Sequence, residues 1–164
     1  MTNKSSTARR KPKSAAPEAL DMSDMSRALP IALLRARESI MAFTRPILRA
    51  HRLTDQQWRI LRYAYVESPI DLTSLSEKTF IVLSSLSKIC SDMEARHLIR
   101  KETAASGQRR VLISITERGK KLASAVVPML KDRNKELDAY LSDNEFSELL
   151  RLLGKVEHLP VPRR

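Results

Sequence analysis

The 164 residues predict a mainly α chain that carries a single β-hairpin. Three observations lead there. Only 3 Gly and 4% aromatic residues are too few for a turn-rich β architecture. Apolar residues recur at helical spacing through most of the chain. One stretch, SGQRRVLISIT at 106–116, instead alternates with period two behind a cationic loop tip. The length supports one hydrophobic core and not a second full domain.

Residues 1–25 are rich in Ser, Ala, Pro and Lys/Arg without periodicity, and are expected to be a disordered basic tail ahead of a single domain over 26–160. Over 27–50, Leu29, Leu33, Leu34, Ile40, Met41, Phe43, Ile47 and Leu48 give a long helix a broad apolar face. Pro30 suits its first turn and Pro46 is a kink point near its end. Thr54 with Gln57 is a capping-box pattern, so a second helix begins at Asp55, burying Trp58, Leu61 and Tyr65, and Ser68-Pro69 stops it. A very short strand is expected at Ile70–Leu72. Ser74 with Glu77 repeats the capping pattern for a short helix around Leu75. In the next helix Leu83, Leu86, Ile89, Cys90 and Met93 form an apolar face, with Ser84, Ser85, Ser87, Lys88 and Ser91 largely opposite. Leu98–Thr103 and Val111–Ile115 read as antiparallel strands around a loop over 104–110. Thr116 caps a long helix to about Leu141, interrupted near Pro128, and Ser142 with Glu145 caps a last one holding Phe146, Leu149, Leu150, Leu153 and Val156.

A formal charge of +11 makes an anionic partner the first expectation, with nucleic acid ahead of a membrane surface. No apolar run approaches the roughly 20 residues that span a bilayer. The N-terminus lacks the apolar core of a secretory signal, and Cys90 as the single cysteine fits a reducing cytoplasm. The charge is uneven. Residues 27–62 hold eight Arg against Glu38 and Asp55, a net of +6; residues 78–121 hold ten Lys/Arg against four acids, again +6. Residues 132–157 set four bases against seven acids, a net of −3, so the anion-facing surface belongs to the first two-thirds of the chain.

Helix, short helix, polar-faced helix and hairpin in succession make a winged helix-turn-helix. A major groove about 12 Å wide admits one helix that buries one side and presents small hydroxyl and basic groups on the other. Ser84, Ser85, Ser87, Lys88 and Ser91 are the expected DNA-facing residues. Arg109 and Arg110 at the hairpin supply a second contact, to the minor groove or to phosphates. Taken singly, a serine-rich face or an Arg-Arg loop is ordinary solvated surface; their order and shared charge carry the reading.

The run LIRKETAASGQRRVLISITERGKKL resembles the wing and following helix of the MarR family of bacterial transcription regulators. LTDQQWRILR resembles that family's second helix, and SSLSKICSDMEARHLIRK its recognition helix; the resemblance covers roughly 27–158. Within the family, ALPIALLRARESIMAFTRPIL with LTDQQWRIL is most similar to regulators of homoprotocatechuate and related aromatic-acid breakdown, hydroxynicotinate-type acids included. The resemblance implies a DNA-binding lobe over about 53–116 and a homodimer built by helices at 27–50 and 117–158, on a pseudo-palindromic double-stranded operator. It also implies a small aromatic carboxylate effector bound where the first, second and fifth helices meet, releasing a repressor from DNA. Near that junction the chain offers Arg37, Arg45, His51, Trp58 and Arg59. Arginine would pair with the carboxylate, Trp58 would stack on the ring and His51 would bond a ring hydroxyl. The plainer alternatives are Trp58 as core and the arginines as surface charge. Three departures stand out: Gly107 where the family usually has the Asp that holds the wing arginine, His97 where Gly usually follows the recognition helix, and Thr79-Phe80 in a turn where Gly is common.

Rival readings are a thiol-redox regulator acting through Cys90 and a non-specific DNA-architectural protein. Cys90 falls on the apolar face, where thiols are generally inert. No metal-ligand spacing, Gly-rich phosphate loop or nucleophile–base pairing appears, so neither an enzyme nor a cofactor is expected.

Overall fold

A computed structural model describes residues 28–103, 110–135 and 139–160. The elements run α1 (Leu29–Ala50), α2 (Asp55–Val66), β1 (Ile70–Asp71), α3 (Leu72–Thr79), α4 (Leu83–Ala95), β2 (Ile99–Thr103), β3 (Val111–Ile115), α5 (Glu117–Asn134) and α6 (Asp143–Glu157). The tail expected over 1–25 lies outside the described residues. The chain divides into two compact units, 1–37 and 38–164, with the boundary inside α1. In the first, α1 exposes Leu29 and Leu34. The remaining elements, with α1 from Glu38 onward, form the second.

Local signals place most helix starts. Thr54 accepts from the Gln57 amide at 3.1 Å, and Gln57 Oε1 accepts from the Thr54 amide at 3.0 Å, closing the expected capping box of α2. Ser142 and Glu145 do the same for α6, and Thr116 accepts from the Gly119 amide at 3.0 Å to start α5. At α3 the expectation fails. Asp71, not Ser74, is the cap: its carboxylate accepts the Thr73 and Ser74 amides at 3.1 and 3.0 Å, and the Ser74 hydroxyl donates to it as well. A carboxylate outcompetes a hydroxyl as acceptor here, and α3 begins three residues earlier than a Ser74 cap would place it. These Ser74 bonds, first among the causes, together with the Thr73 amide and the field of Arg110, hold the Asp71 carboxyl below its ordinary range.

The core of the second unit draws on seven elements. Leu48, Ile60, Leu61, Leu75, Leu86, Met93, Ile99, Ile113 and Val126 are fully buried. The sheet has the order β1-β3-β2, antiparallel throughout, with Ile70 opposite Ile113 and Ile99 opposite Ile115. Two apolar residues expected inside are not: Tyr65 is 51% exposed and Leu83 46%. Each continues the helical period to the flank of its buried stripe, beyond the width its neighbours cover.

The hairpin joins α5 through an unusually close approach. His97, in the left-handed region at φ 57°, turns the chain out of α4. The Thr116 hydroxyl then donates to the His97 and Leu98 carbonyls, at 2.6 and 3.1 Å. Gly119 lies over the same point: a β-carbon there would sit 2.1 Å from the Leu98 oxygen and 2.8 Å from Ile115 Cγ1. Gly119→Ala is expected to destabilise the protein by about 1–3 kcal/mol through overpacking, although alanine is the better helix former by about 1 kcal/mol. A lowered urea midpoint with unchanged slope would bear this out; a raised midpoint would refute the close approach.

Candidate functional site

The recognition surface follows from how α4 is buried. Leu86, Cys90 and Met93 are fully buried. Ser84, Ser85, Ser87, Lys88 and Ser91 are all exposed, as their spacing predicts. Ser91 is already engaged: its hydroxyl donates to the Ser87 carbonyl at 3.0 Å and accepts from Lys101 Nζ at 2.8 Å. That contact draws the β2 cation Lys101 onto the same face, a neighbour the sequence reading did not identify. Arg110, just ahead of β3, is exposed, while Arg109 and Gly107 lie outside the described residues. Arg110 lines a cavity of about 450 Å³ with Asp71, Ser74, Glu77 and Leu83, so the base of the hairpin faces the starts of α3 and α4.

The five residues proposed for an effector do not converge on one cavity. Arg37 is exposed on α1 in the first unit. Arg45 pairs with Glu38 at 2.6 Å and lines a cavity of about 230 Å³ with Arg49, Leu53 and Asp55. His51, half-buried, places Nδ1 2.9 Å from the Ile47 carbonyl. Arg59 donates to the Thr79 carbonyl and lies 3.7 Å from Asp55. Trp58 alone walls a separate cavity of about 350 Å³ between α2 and α5, with Arg62, Tyr65, Val66, Ala123, Ser124, Val127 and Pro128. A smaller recess shares Trp58, Arg62 and Val127 and extends to Leu130 and Lys131.

Arg62 is the residue sequence reasoning passed over. It follows Trp58 by four positions, one helical turn, and so stands on the same face of α2. That spacing was the available signal. Among the described residues Arg62 has no hydrogen bond or ion pair to a side chain, so the cavity offers a cation beside an indole within mostly apolar walls. This is the composition that holds a small aromatic acid: apolar surface for the ring and one charged group to orient the carboxylate.

No family model matches the chain. It is 33% identical over 129 residues to the homoprotocatechuate degradative operon repressor of Escherichia coli, a match covering 79% of this chain and 87% of that one. The chain belongs to the MarR family of transcriptional regulators. A second relative of the MarR-type chain, the HTH-type transcriptional regulator FarR of Neisseria gonorrhoeae, is 32% identical over 130 residues, covering 77% and 89%. The crystal structure of NadR in complex with 4-hydroxyphenylacetate superposes with a TM-score of 0.71 at 27% identity, covering 93% of this chain and all of the other. The winged helix-turn-helix expected from the element order is therefore the fold, and the protein is a DNA-binding transcriptional regulator. Among the described residues no helix is long and apolar enough to cross a membrane.

Cys90 offers little to redox chemistry. It is fully buried, and desolvation pushes its thiol up to about 11, outweighing the opposing field of Lys101. Below that value it stays a protonated thiol. Native protein at pH 8 should react with a disulfide reagent only as fast as it unfolds, and denaturant should accelerate the reaction sharply. Rapid stoichiometric labelling of folded protein would revive the thiol-switch reading.

Proposed function

We propose that this MarR-family regulator is a homodimeric cytoplasmic repressor that a small aromatic carboxylate, bound between α2 and α5, removes from a pseudo-palindromic operator. The observation that carries the effector part is the Trp58–Arg62 pair, one turn apart in a cavity of about 350 Å³. NadR, its structural neighbour, is described in complex with 4-hydroxyphenylacetate, an acid of the size and polarity that such walls accept. Trp58 covers the ring and Arg62 meets the carboxylate. Lys131 at the adjoining recess adds attraction for an anion. The proposed effector site is thus narrower than the set Arg37, Arg45, His51, Trp58 and Arg59, and Arg62 joins it.

Dimerisation is supported by α6. It buries none of its residues, yet exposes Phe146, Leu149, Leu150 and Leu152 on one amphipathic helix. An apolar stripe of that length needs a cover, and a second copy supplies one by two-fold symmetry. Two α4 helices then meet successive major grooves about one DNA turn apart. No catalytic step or cofactor enters this reading.

The test is direct. At about 0.15 M ionic strength the protein should bind the DNA upstream of its own gene far more tightly than a random duplex. Equal affinity would favour a DNA-architectural role and sink the regulator reading. Of hydroxyphenylacetates, hydroxycinnamates, benzoates and pyridine carboxylates, at least one should raise the melting temperature and release the operator. Arg62→Leu should weaken that acid by about 1.5–3 kcal/mol, roughly 10- to 150-fold, while leaving operator affinity close to wild type. Lys88→Ala and Arg110→Ala should each weaken operator binding. If the lost contact is to phosphate, the salt slope should fall by about 0.9 per phosphate, doubled in the dimer. A wild-type response in Arg62→Leu would move the effector out of this cavity.

A further inference from the structure

Gln57, Trp58 and Arg59 are consecutive on α2, yet each faces a different neighbour. Trp58 walls the α2–α5 cavity. Gln57, 8% exposed, donates through Nε2 to Asp92 Oδ2 on α4 at 2.8 Å, and its Oε1 accepts from Arg96, the C-cap of α4, at 3.2 Å. Arg96 in turn donates to the Arg52 carbonyl at 2.8 Å. Arg59 points the other way and donates through Nη1 to the carbonyl of Thr79, the last residue of α3. The next residue, Phe80, takes the left-handed conformation at φ 53° and turns the chain toward α4. Of the two residues flanking the cavity indole, Gln57 thus holds the C-terminal end of the reading helix directly, and Arg59 holds the last carbonyl of α3, at the turn that leads into α4.

We propose that Gln57 and Arg59 are the positioning residues that convert occupancy of the Trp58 cavity into a reorientation of α4. This inference rests on the effector reading above. Adjacent residues of one helix move together, so displacing Trp58 displaces both clamps. Apolar contacts between α2 and α4 are non-directional and can slide, whereas hydrogen bonds weaken steeply once their angle is lost. The clamps therefore carry orientation where the packed core does not.

The two clamps differ in strength. At the C-terminal end of α4, Gln57 is fixed three ways: by Asp92, by Arg96 and by the Thr54 amide of its own capping box. Ahead of the N-terminal end, Arg59 reaches α4 only through the α3–α4 turn: it holds the single carbonyl of Thr79, its Asp55 pair is long at 3.7 Å, and its buried Nε has no hydrogen-bond partner among the described residues. The Gln57 end acts as the pivot and the Arg59 end swings. The swinging end is the one whose first turns meet base edges in a helix-turn-helix, so a small rotation there is enough to spoil the fit.

Trp58 is the only tryptophan, so its fluorescence reports occupancy of the cavity directly. The experiment uses the full chain, 4-hydroxyphenylacetate as probe and a labelled operator duplex read by anisotropy. The coupling factor is the operator Kd with the probe saturating divided by the Kd without it. For wild type it should fall in the range of about 5 to 150. Arg59→Met should cut the factor at least threefold, Asp92→Ala should cut it less, and Arg59→Lys, which keeps a donor, should restore part of it. Because the factor is a ratio, a uniform loss of operator affinity or of stability cancels. An unchanged factor in Arg59→Met at saturation of the Trp58 signal overturns the inference. A weakened probe with unchanged coupling overturns it too, by making Arg59 an effector ligand. A wild-type Trp58 signal that ignores 4-hydroxyphenylacetate and every other acid of the panel above refutes the effector reading, and this inference falls with it.

Discussion

Helix α2 has twelve residues and almost no idle surface. Ile60, Leu61 and Ala64 are fully buried in the core, Gln57 is a buried amide that must be paired, Arg59 reaches α3, and Trp58 with Arg62 lines a cavity against α5. A buried amide left without partners costs about 1–3 kcal/mol, so the position of α4 is tied to α2 by more than packing. The winged lobe is arranged around this constraint. Moving α2 means moving the reading helix, and holding α2 still holds the reading helix still.

The same constraint separates the polar face of α4 from the α2–α5 cavity, which occupy different sides of one small core. The buried stripe Leu86, Cys90 and Met93 anchors α4 and leaves its opposite face to serines and Lys88. Desolvation that makes Cys90 a dependable core residue also makes it a poor sensor. The α2–α5 cavity, by contrast, has Arg62 as its single charged wall residue on α2, with no acid among its lining residues. Near the hairpin, the Asp71 carboxylate lies in the field of Arg110 while capping α3. Asp71 and Arg110 line one cavity, between the base of the hairpin and the start of α3.

Much of the fold was legible because its signals are local. The Thr54–Gln57 and Ser142–Glu145 boxes and the Thr116 cap join residues within one turn, and each is found where the pattern put it. Val111–Ile115 is a strand over the range its alternation marks. His97 takes the left-handed conformation that its place after the recognition helix requires. Illegible parts had competing local signals or depended on a neighbour's width. Asp71 and Ser74 are both good caps, and the carboxylate wins. Tyr65 and Leu83 keep the period of buried residues but line open cavities, where their neighbours leave them half exposed.

What the sequence determined by itself was the order and type of the elements, the polar face of the reading helix and the uneven positive charge. All of these depend on composition or on residues within about four positions of one another. Only the tertiary structure decided that Trp58 and an arginine share a cavity. Arg59 and Arg62 lie one and four residues from the indole, so helical spacing puts only Arg62 on its face, but that spacing does not say what the face meets. Helix geometry turns Arg59 toward Thr79 on α3 and leaves Arg62 facing Val127 and Pro128 on α5, more than sixty residues along the chain. Burial of the core brings those distant residues together, and no local pattern in the chain encodes that meeting.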